Sequence, residues 1–149
     1  MSDLIQPVHV TLRVLDPSAS PPAAAHDGDA GLDLEARHSV VLAPGQRASV
    51  ATGIAIAIPP GYAGLVLPRS GHARTRGISL VNSPGLIDSG YRGEIEVLLI
   101  NHGHEEVTFQ PGDRIAQLVI IEVPAVSWLQ TDSLPQSDRG EAGFGSTGG

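Results

Sequence analysis

The stretch ASVATGIAIAIPPGYAGLVL, Ala48 to Leu67, contains no charged residue and decides the fold. Pro59, Pro60 and Gly61 divide it, so neither half is long enough to cross a bilayer as a helix. Ile54, Ile56 and Ile58 alternate with Ala55 and Ala57, the period of a strand. The segment reads as strand, turn, strand. Working outward, the pattern recurs. Val8, Val10, Leu12 and Val14 alternate with His9, Thr11 and Arg13, which predicts a half-buried strand. Ile95 to Ile100 and Ile115 to Ile121 are apolar runs of the kind buried on both faces. Between the runs stand Pro44-Gly45, Pro84-Gly85, Asn101-His102-Gly103 and Pro111-Gly112. Pro presets φ at the first corner of a turn and Gly supplies φ > 0 at the second. At most, Ser70 to Arg76 holds a helical turn. Many short strands with regular turn signals predict one all-β barrel or sandwich.

Composition narrows the chemistry. The chain has 149 residues, 18 Gly and 12 Pro, a content that helices tolerate poorly and turn-rich β folds use. It has no Cys, which excludes disulfides, thiolate nucleophiles and Cys-ligated metals. It has no Lys either, which excludes a P-loop and Schiff-base chemistry. The net charge of −7 argues against general binding to nucleic acid or to an anionic membrane. One Trp, two Tyr and two Phe are too few for a platform that stacks several bases. Met1 to Val10 carries Asp3 and has no basic-then-apolar signal pattern, so a soluble, cytoplasmic protein is expected.

Several residues are candidates for chemistry, each with a plainer reading beside it. Asp33 sits between Leu32 and Leu34 in AGLDLEA. Alternation places it opposite the two leucines, as a site carboxylate or as the solvent face of a strand. Asp88 follows Leu86 and Ile87 and precedes a Ser-Gly turn. An acid there can hold a water and take its proton, or simply favour the turn. PRSG, Pro68 to Gly71, offers a guanidinium fork, a hydroxyl and open backbone for phosphate oxygens. Arg74 and Arg76 neutralise phosphates or cover an acidic surface. His102, His104, Glu105 and Glu106 suit a solvated hairpin tip better than a metal, as do His26, Asp27 and Asp29. The tail, GEAGFGSTGG, cannot bury enough apolar area to order itself. It follows Arg139 and carries Phe144, which reads as an arm that orders on a ligand or as a solubilising tail.

Taken together, AGLDLEA, PRSGHA, NSPGLIDSGYRGE, GDRIAQLVI and RGEAGFGSTG resemble, in order, the five motifs of the trimeric deoxyuridine triphosphate nucleotidohydrolases, the dUTPases. The resemblance runs from Ala30 to Gly148. It implies a jelly-roll-like β barrel over residues 1–130, a flexible Gly-rich C-terminal arm over 131–149, and a homotrimer with sites between subunits. It implies hydrolysis of dUTP to dUMP and pyrophosphate with Mg²⁺ held by the triphosphate and no direct protein ligand. Asp88 would then hold and deprotonate the attacking water, and Asp33 would orient the water shell of the metal. Arg69, Ser70, Gly71 and Gln117 would hold the phosphate end. Asn82, Gly85, Leu86 and Ile87 would form the uracil pocket, with Tyr91 under the sugar. Arg139 would neutralise charge in the transition state, Phe144 would stack on uracil, and Gly145, Ser146 and Thr147 would complete the arm's contacts. No direct contact with nucleic acid or membrane is implied.

This chain departs from the family pattern at His72, where an aliphatic residue is more usual, at Gly90, where many members have an acid, and at Ala142, which replaces a tail glycine. The rival readings are a dCTP deaminase or bifunctional homologue, a non-catalytic nucleotide-sensing trimer and a structural jelly-roll module. The Asp88 hairpin and the arm favour the triphosphatase.

Overall fold

The structure, a computed structural model, describes residues 6–148. Ten strands and one helix follow in the order β1 (Thr11–Val14), β2 (Leu32–Glu35), β3 (Val40–Leu42), β4 (Arg47–Ala57), β5 (Tyr62–Leu67), α1 (Ser70–Arg76), β6 (Ile78–Leu80), β7 (Gly85–Ile87), β8 (Glu94–Asn101), β9 (Val107–Phe109) and β10 (Arg114–Glu122). All pairings are antiparallel. Two four-stranded sheets, ordered β1-β4-β8-β6 and β2-β10-β5-β7, are joined by the β3-β9 pair. One core runs through them, from Leu34, Ile54, Val66 and Leu80 to Val97, Phe109 and Leu118. This is the predicted all-β, jelly-roll-like barrel. The uncharged stretch folds as read: β4, the turn at Pro59–Gly61, then β5.

The turn signals divide into two kinds. Gly45, Gly61 and Gly112 adopt φ of 81°, 86° and 88°, the left-handed corners expected after Pro. Pro84-Gly85 is different. The Ser83–Pro84 bond is cis and Gly85 has no positive φ; it is the first residue of β7. A Cβ there would stand 3.0 Å from the Asn82 amide nitrogen, so it is close approach, not turn geometry, that calls for Gly. Asn101 is also no turn residue. It ends β8 fully buried. Its amide donates to the carbonyls of Leu42 (2.9 Å) and Glu105 (2.8 Å) and its oxygen accepts from the Gly103 N–H at 2.8 Å.

Three strand readings change. β1 begins at Thr11, leaving Val8 exposed, because Thr11 pairs with Ala57, the last residue of β4. Pro59 and Pro60 offer no N–H donors beyond it. β8 buries Ile95, Val97, Leu99 and Asn101, while Glu96 is exposed and Leu98 and Ile100 are half-buried. Its apolar run therefore covers one face fully and the other only in part. β10 likewise buries Ile115, Ala116 and Leu118 and leaves Val119 to Ile121 half-buried. No helix among the described residues is long and apolar enough to cross a membrane.

Among the described residues no strand or helix follows Glu122, and residues 122–142 are exposed, including Trp128 at 90% and Leu129 at 88%. Asn101→Ala removes its bonds to the Leu42 carbonyl of β3 and to the Glu105 carbonyl and Gly103 N–H of the β8–β9 connection, at about 1–3 kcal/mol. Thermal unfolding of the variant should fall by about 2–10 °C for a domain of this size; an unchanged melting temperature would count against this role for Asn101.

Candidate active site

The sheet β2-β10-β5-β7 lays out the candidate residues. Asp33 on β2 pairs with Gln117 on β10, and Gln117 pairs with Leu67 at the end of β5. The chain then turns through Pro68 into α1, whose N-cap is Arg69 in an extended conformation with no side-chain cap bond. The Arg69 side chain turns to Asp33: its Nε lies 3.2 Å from Oδ1. Arg114 Nη1 lies 3.5 Å from Oδ2. Asp33 keeps only 14% of its side-chain exposure, so it does not face open solvent. Gln117 Nε2 donates to the Pro68 carbonyl at 2.9 Å, which fixes the root of the Arg69 loop. Gly31 permits this, since a Cβ there would overlap the Gln117 amide oxygen.

Asp33, Arg69, Ser70, Gly71 and Gln117 line one cleft of about 350 Å³, together with Gly31 and His72. The Arg69 guanidinium, a hydroxyl and an amide suit an anion rich in oxygen, and Arg114 approaches Asp33 from beside the cleft. Arg114 was quoted within GDRIAQLVI but not singled out. The signal for it is positional: it opens the strand that carries Gln117, three residues away, and therefore reaches the same end of β2.

A second hollow of about 210 Å³ is lined by Asn82, Gly85, Leu86, Ile87 and Tyr91, with Val66 and β8 residues. The Tyr91 hydroxyl donates to the Glu94 carbonyl at 2.9 Å. Ile87 is buried and Leu86 exposed. Asp88 is exposed just beyond β7, and its carbonyl accepts from the Tyr91 N–H at 3.1 Å. The two hollows share no lining residue. Val66 faces Gly85 and Gly64 faces Ile87. Three strand spacings and about four residues of rise therefore separate Asp33 from Asp88, about 20 Å.

The arm residues lie apart from both hollows. Arg139 Nε donates to the Ala142 carbonyl at 2.7 Å, and Phe144 is fully exposed with φ 51°. Gly145, Ser146 and Thr147 are exposed. Among the described residues no three His, Cys, Asp or Glu side chains converge as metal ligands. His26 pairs with Asp29 at 3.2 Å on the surface.

The fold and the cleft define an all-β barrel with an arginine-lined anion site. A family model of the dUTPases matches residues 18–148, and the chain belongs to that family. It is 52% identical to a deoxyuridine 5'-triphosphate nucleotidohydrolase of Gloeobacter violaceus, over 97% of this chain and 99% of that one. It is 54% identical to one of Tropheryma whipplei, over 93% and 96%. Among solved structures, the dUTPase of Staphylococcus bacteriophage 80alpha with dUpNHpp superposes with a TM-score of 0.86 at 30% identity, covering 94% of this chain and 98% of that one. A variant dUTPase of phage phi11, described as coordinating a structural Mg(II) ion, has a TM-score of 0.78 at 26% identity, over 84% and 97%.

Gly31→Ala should push Gln117 off the Pro68 carbonyl and loosen the Arg69 loop. Calorimetry should show inorganic pyrophosphate bound about fivefold to tenfold more weakly, the worth of one hydrogen bond. Equal affinity would mean that Gln117 does not hold the loop.

Proposed function

We propose that this chain hydrolyses dUTP to dUMP and pyrophosphate as a cytoplasmic homotrimer. The observation that carries the reading is the Asp33 carboxylate between Arg69 and Arg114, next to Ser70, Gly71 and Gln117, in a chain half identical to deoxyuridine 5'-triphosphate nucleotidohydrolases along nearly its whole length. The barrel's last strand ends at Glu122, and the exposed segment after it leads into the C-terminal arm.

The separation of the hollows supports a shared site. A general base works within about 3 Å of the proton it takes, and about 20 Å between Asp33 and Asp88 of one chain is too far for one phosphorus. The cleft of one copy is therefore completed by the Asn82–Tyr91 hairpin of a second and by the arm of a third. The exposed Val126, Trp128 and Leu129 suit a segment that leaves its own barrel.

In this site Arg69, Ser70, Gly71 and Gln117 grip the phosphates. Both oxygens of Asp33 face guanidinium groups, which fits a carboxylate that reaches a metal's waters and not the metal itself. Magnesium carried by the triphosphate neutralises its charge when bound. Asp88 holds the water in line with the α-phosphorus and takes its proton as the new P–O bond forms. The bond from that phosphorus to the bridging oxygen breaks, and pyrophosphate leaves with the electron pair. Arg139 steadies the charge on the leaving phosphates. Asn82 and the backbone at Gly85 to Ile87 pair with the uracil edge, a hollow too close for thymine's methyl. Tyr91 under the sugar leaves no room for a 2′-OH, and Phe144, Gly145, Ser146 and Thr147 close the top.

Pyrophosphate release measured with dUTP, dCTP, dTTP and UTP in the presence of Mg²⁺ should respond to dUTP alone. Ammonia from dCTP would make the chain a deaminase, and silence with all four a binding homologue. Asp88→Asn should lower turnover by about 10²–10⁴-fold, the range of general-base losses, with dUpNHpp binding kept; full turnover would remove Asp88 as the base. Deleting Gly140 to Gly149 should cut turnover while leaving the melting temperature nearly unchanged. A large loss of stability would make the tail a structural element.

A further inference from the structure

His72 is the third residue of α1, directly after the Arg69–Gly71 phosphate loop. Its Nε2 lies 2.8 Å from the Arg114 carbonyl oxygen, and its Nδ1 lies 2.6 Å from Nη2 of Arg76. A carbonyl only accepts and a guanidinium only donates. One form of the ring satisfies both: neutral, with the proton on Nε2. The ring also stands edge-on to Phe109 of β9, centroids 5.3 Å apart at 74°. The Arg76 guanidinium lies 4.9 Å from the centre of the same phenyl ring. One imidazole thus joins α1, β9 and the start of β10. Both residues that clamp Asp33 are rooted there: Arg69 at the N-cap of α1 and Arg114 at the start of β10.

We propose that His72 is a positioning residue for the phosphates: neutral, it ties α1 to β10 through the Arg114 carbonyl and holds Arg76 through Nδ1, and protonation releases Arg76 and sets a further cation beside Arg69 and Arg114, which loosens their hold on Asp33. The proposal rests on the dUTPase reading of the same cleft. A protonated ring carries an N–H at Nδ1, aimed at the Arg76 N–H, and two donors cannot share one hydrogen bond. The new charge also joins those already present. Arg76 and Arg69 face the ring from its own segment, Arg114 and Asp113 from the start of β10, and β9 offers only the uncharged Phe109.

Burial holds the imidazole below its ordinary value of 6.5; the Arg114 carbonyl opposes this, the charges of Arg76 and Arg69 reinforce it, and Asp113 opposes it weakly. The sign follows from a folded value below the unfolded one. The Nδ1 bond to Arg76 is complete above pH 6.5 and is lost as pH falls through the lower folded value, while the Nε2 bond to the Arg114 carbonyl persists.

The test uses full-length protein, wild type beside His72→Gln and His72→Leu. Long-range ¹H–¹⁵N NMR of the wild type should show His72 with its proton on Nε2 at pH 8; a proton on Nδ1, or rapid exchange between the two, would overturn the tie. Affinity for dUpNHpp is then measured by calorimetry from pH 8 to pH 5.5. Protonation of the triphosphate is common to all three proteins and cancels between them. Wild-type affinity should fall severalfold more than that of His72→Gln. At pH 8 His72→Gln, whose amide can still donate to the Arg114 carbonyl, should bind better than His72→Leu. Parallel pH curves with binding intact would overturn the positioning role. No dUpNHpp binding by any of the three would overturn the activity itself, and the role with it.

Discussion

β10 is hydrogen-bonded along both edges, to β2 on one side and to β5 on the other, and the placement of the anion cleft depends on that double pairing. Its register sets Asp33, Gln117 and Leu67 in one row across three strands. A slip by one residue on either side would turn Gln117 to the opposite face. The Arg69 loop would then lose its anchor on Pro68, and Asp33 would point away from both guanidinium groups. Because Ile115, Ala116 and Leu118 are buried, the slip would also drive core residues into solvent. The register of the core and the geometry of the site are one constraint.

Much of this was legible in the sequence, for physical reasons that differ between elements. β4 and β5 were read from the uncharged run because uninterrupted apolar alternation bounded by Pro-Pro-Gly has few other solutions. The turns at Gly45, Gly61 and Gly112 were legible because φ > 0 leaves a compositional mark. Gly85 and Asn101 were misread for the same reason: each looks like a turn residue, yet close packing demands it, and packing partners distant in sequence leave no local signal. Asp33, Arg69 and Gln117 were legible through the family's motif order. Their convergence was not, since it requires the β2–β10–β5 register. Arg114 was overlooked because a lone Arg beside a turn is common, and only the pairing of β10 with β2 brings it to Asp33. His72 was visible only as a departure from pattern; its partners, Arg114 and Phe109, lie about forty residues downstream.

The distribution of candidate residues over one chain has a logic of its own. A barrel of this size has two ends and a surface, and its motifs fall on different parts of it. Concentrating an anion cleft, a hairpin pocket and an aromatic lid on one end would have required long loops, which cost entropy to close. Short turns instead leave each part rigid and partial. On the proposed reading, association of copies brings rigid parts together without ordering any of them anew, and the arm is the part ordered when the ligand binds.

An acidic protein that binds a polyanion needs an electrostatic account. The net charge of −7 would seem to repel a triphosphate, but at physiological ionic strength exposed charges are largely screened beyond about 8 Å. On the proposed reading the ligand meets Arg69 at contact range, with Asp33 between it and Arg114. That carboxylate is not wasted charge. It pre-orients both guanidinium groups, so that less side-chain entropy is lost on binding. The remaining carboxylates, spread over the surface, keep other polyanions such as nucleic acid from settling on the barrel. Attraction is thus confined to the place where geometry can also discriminate.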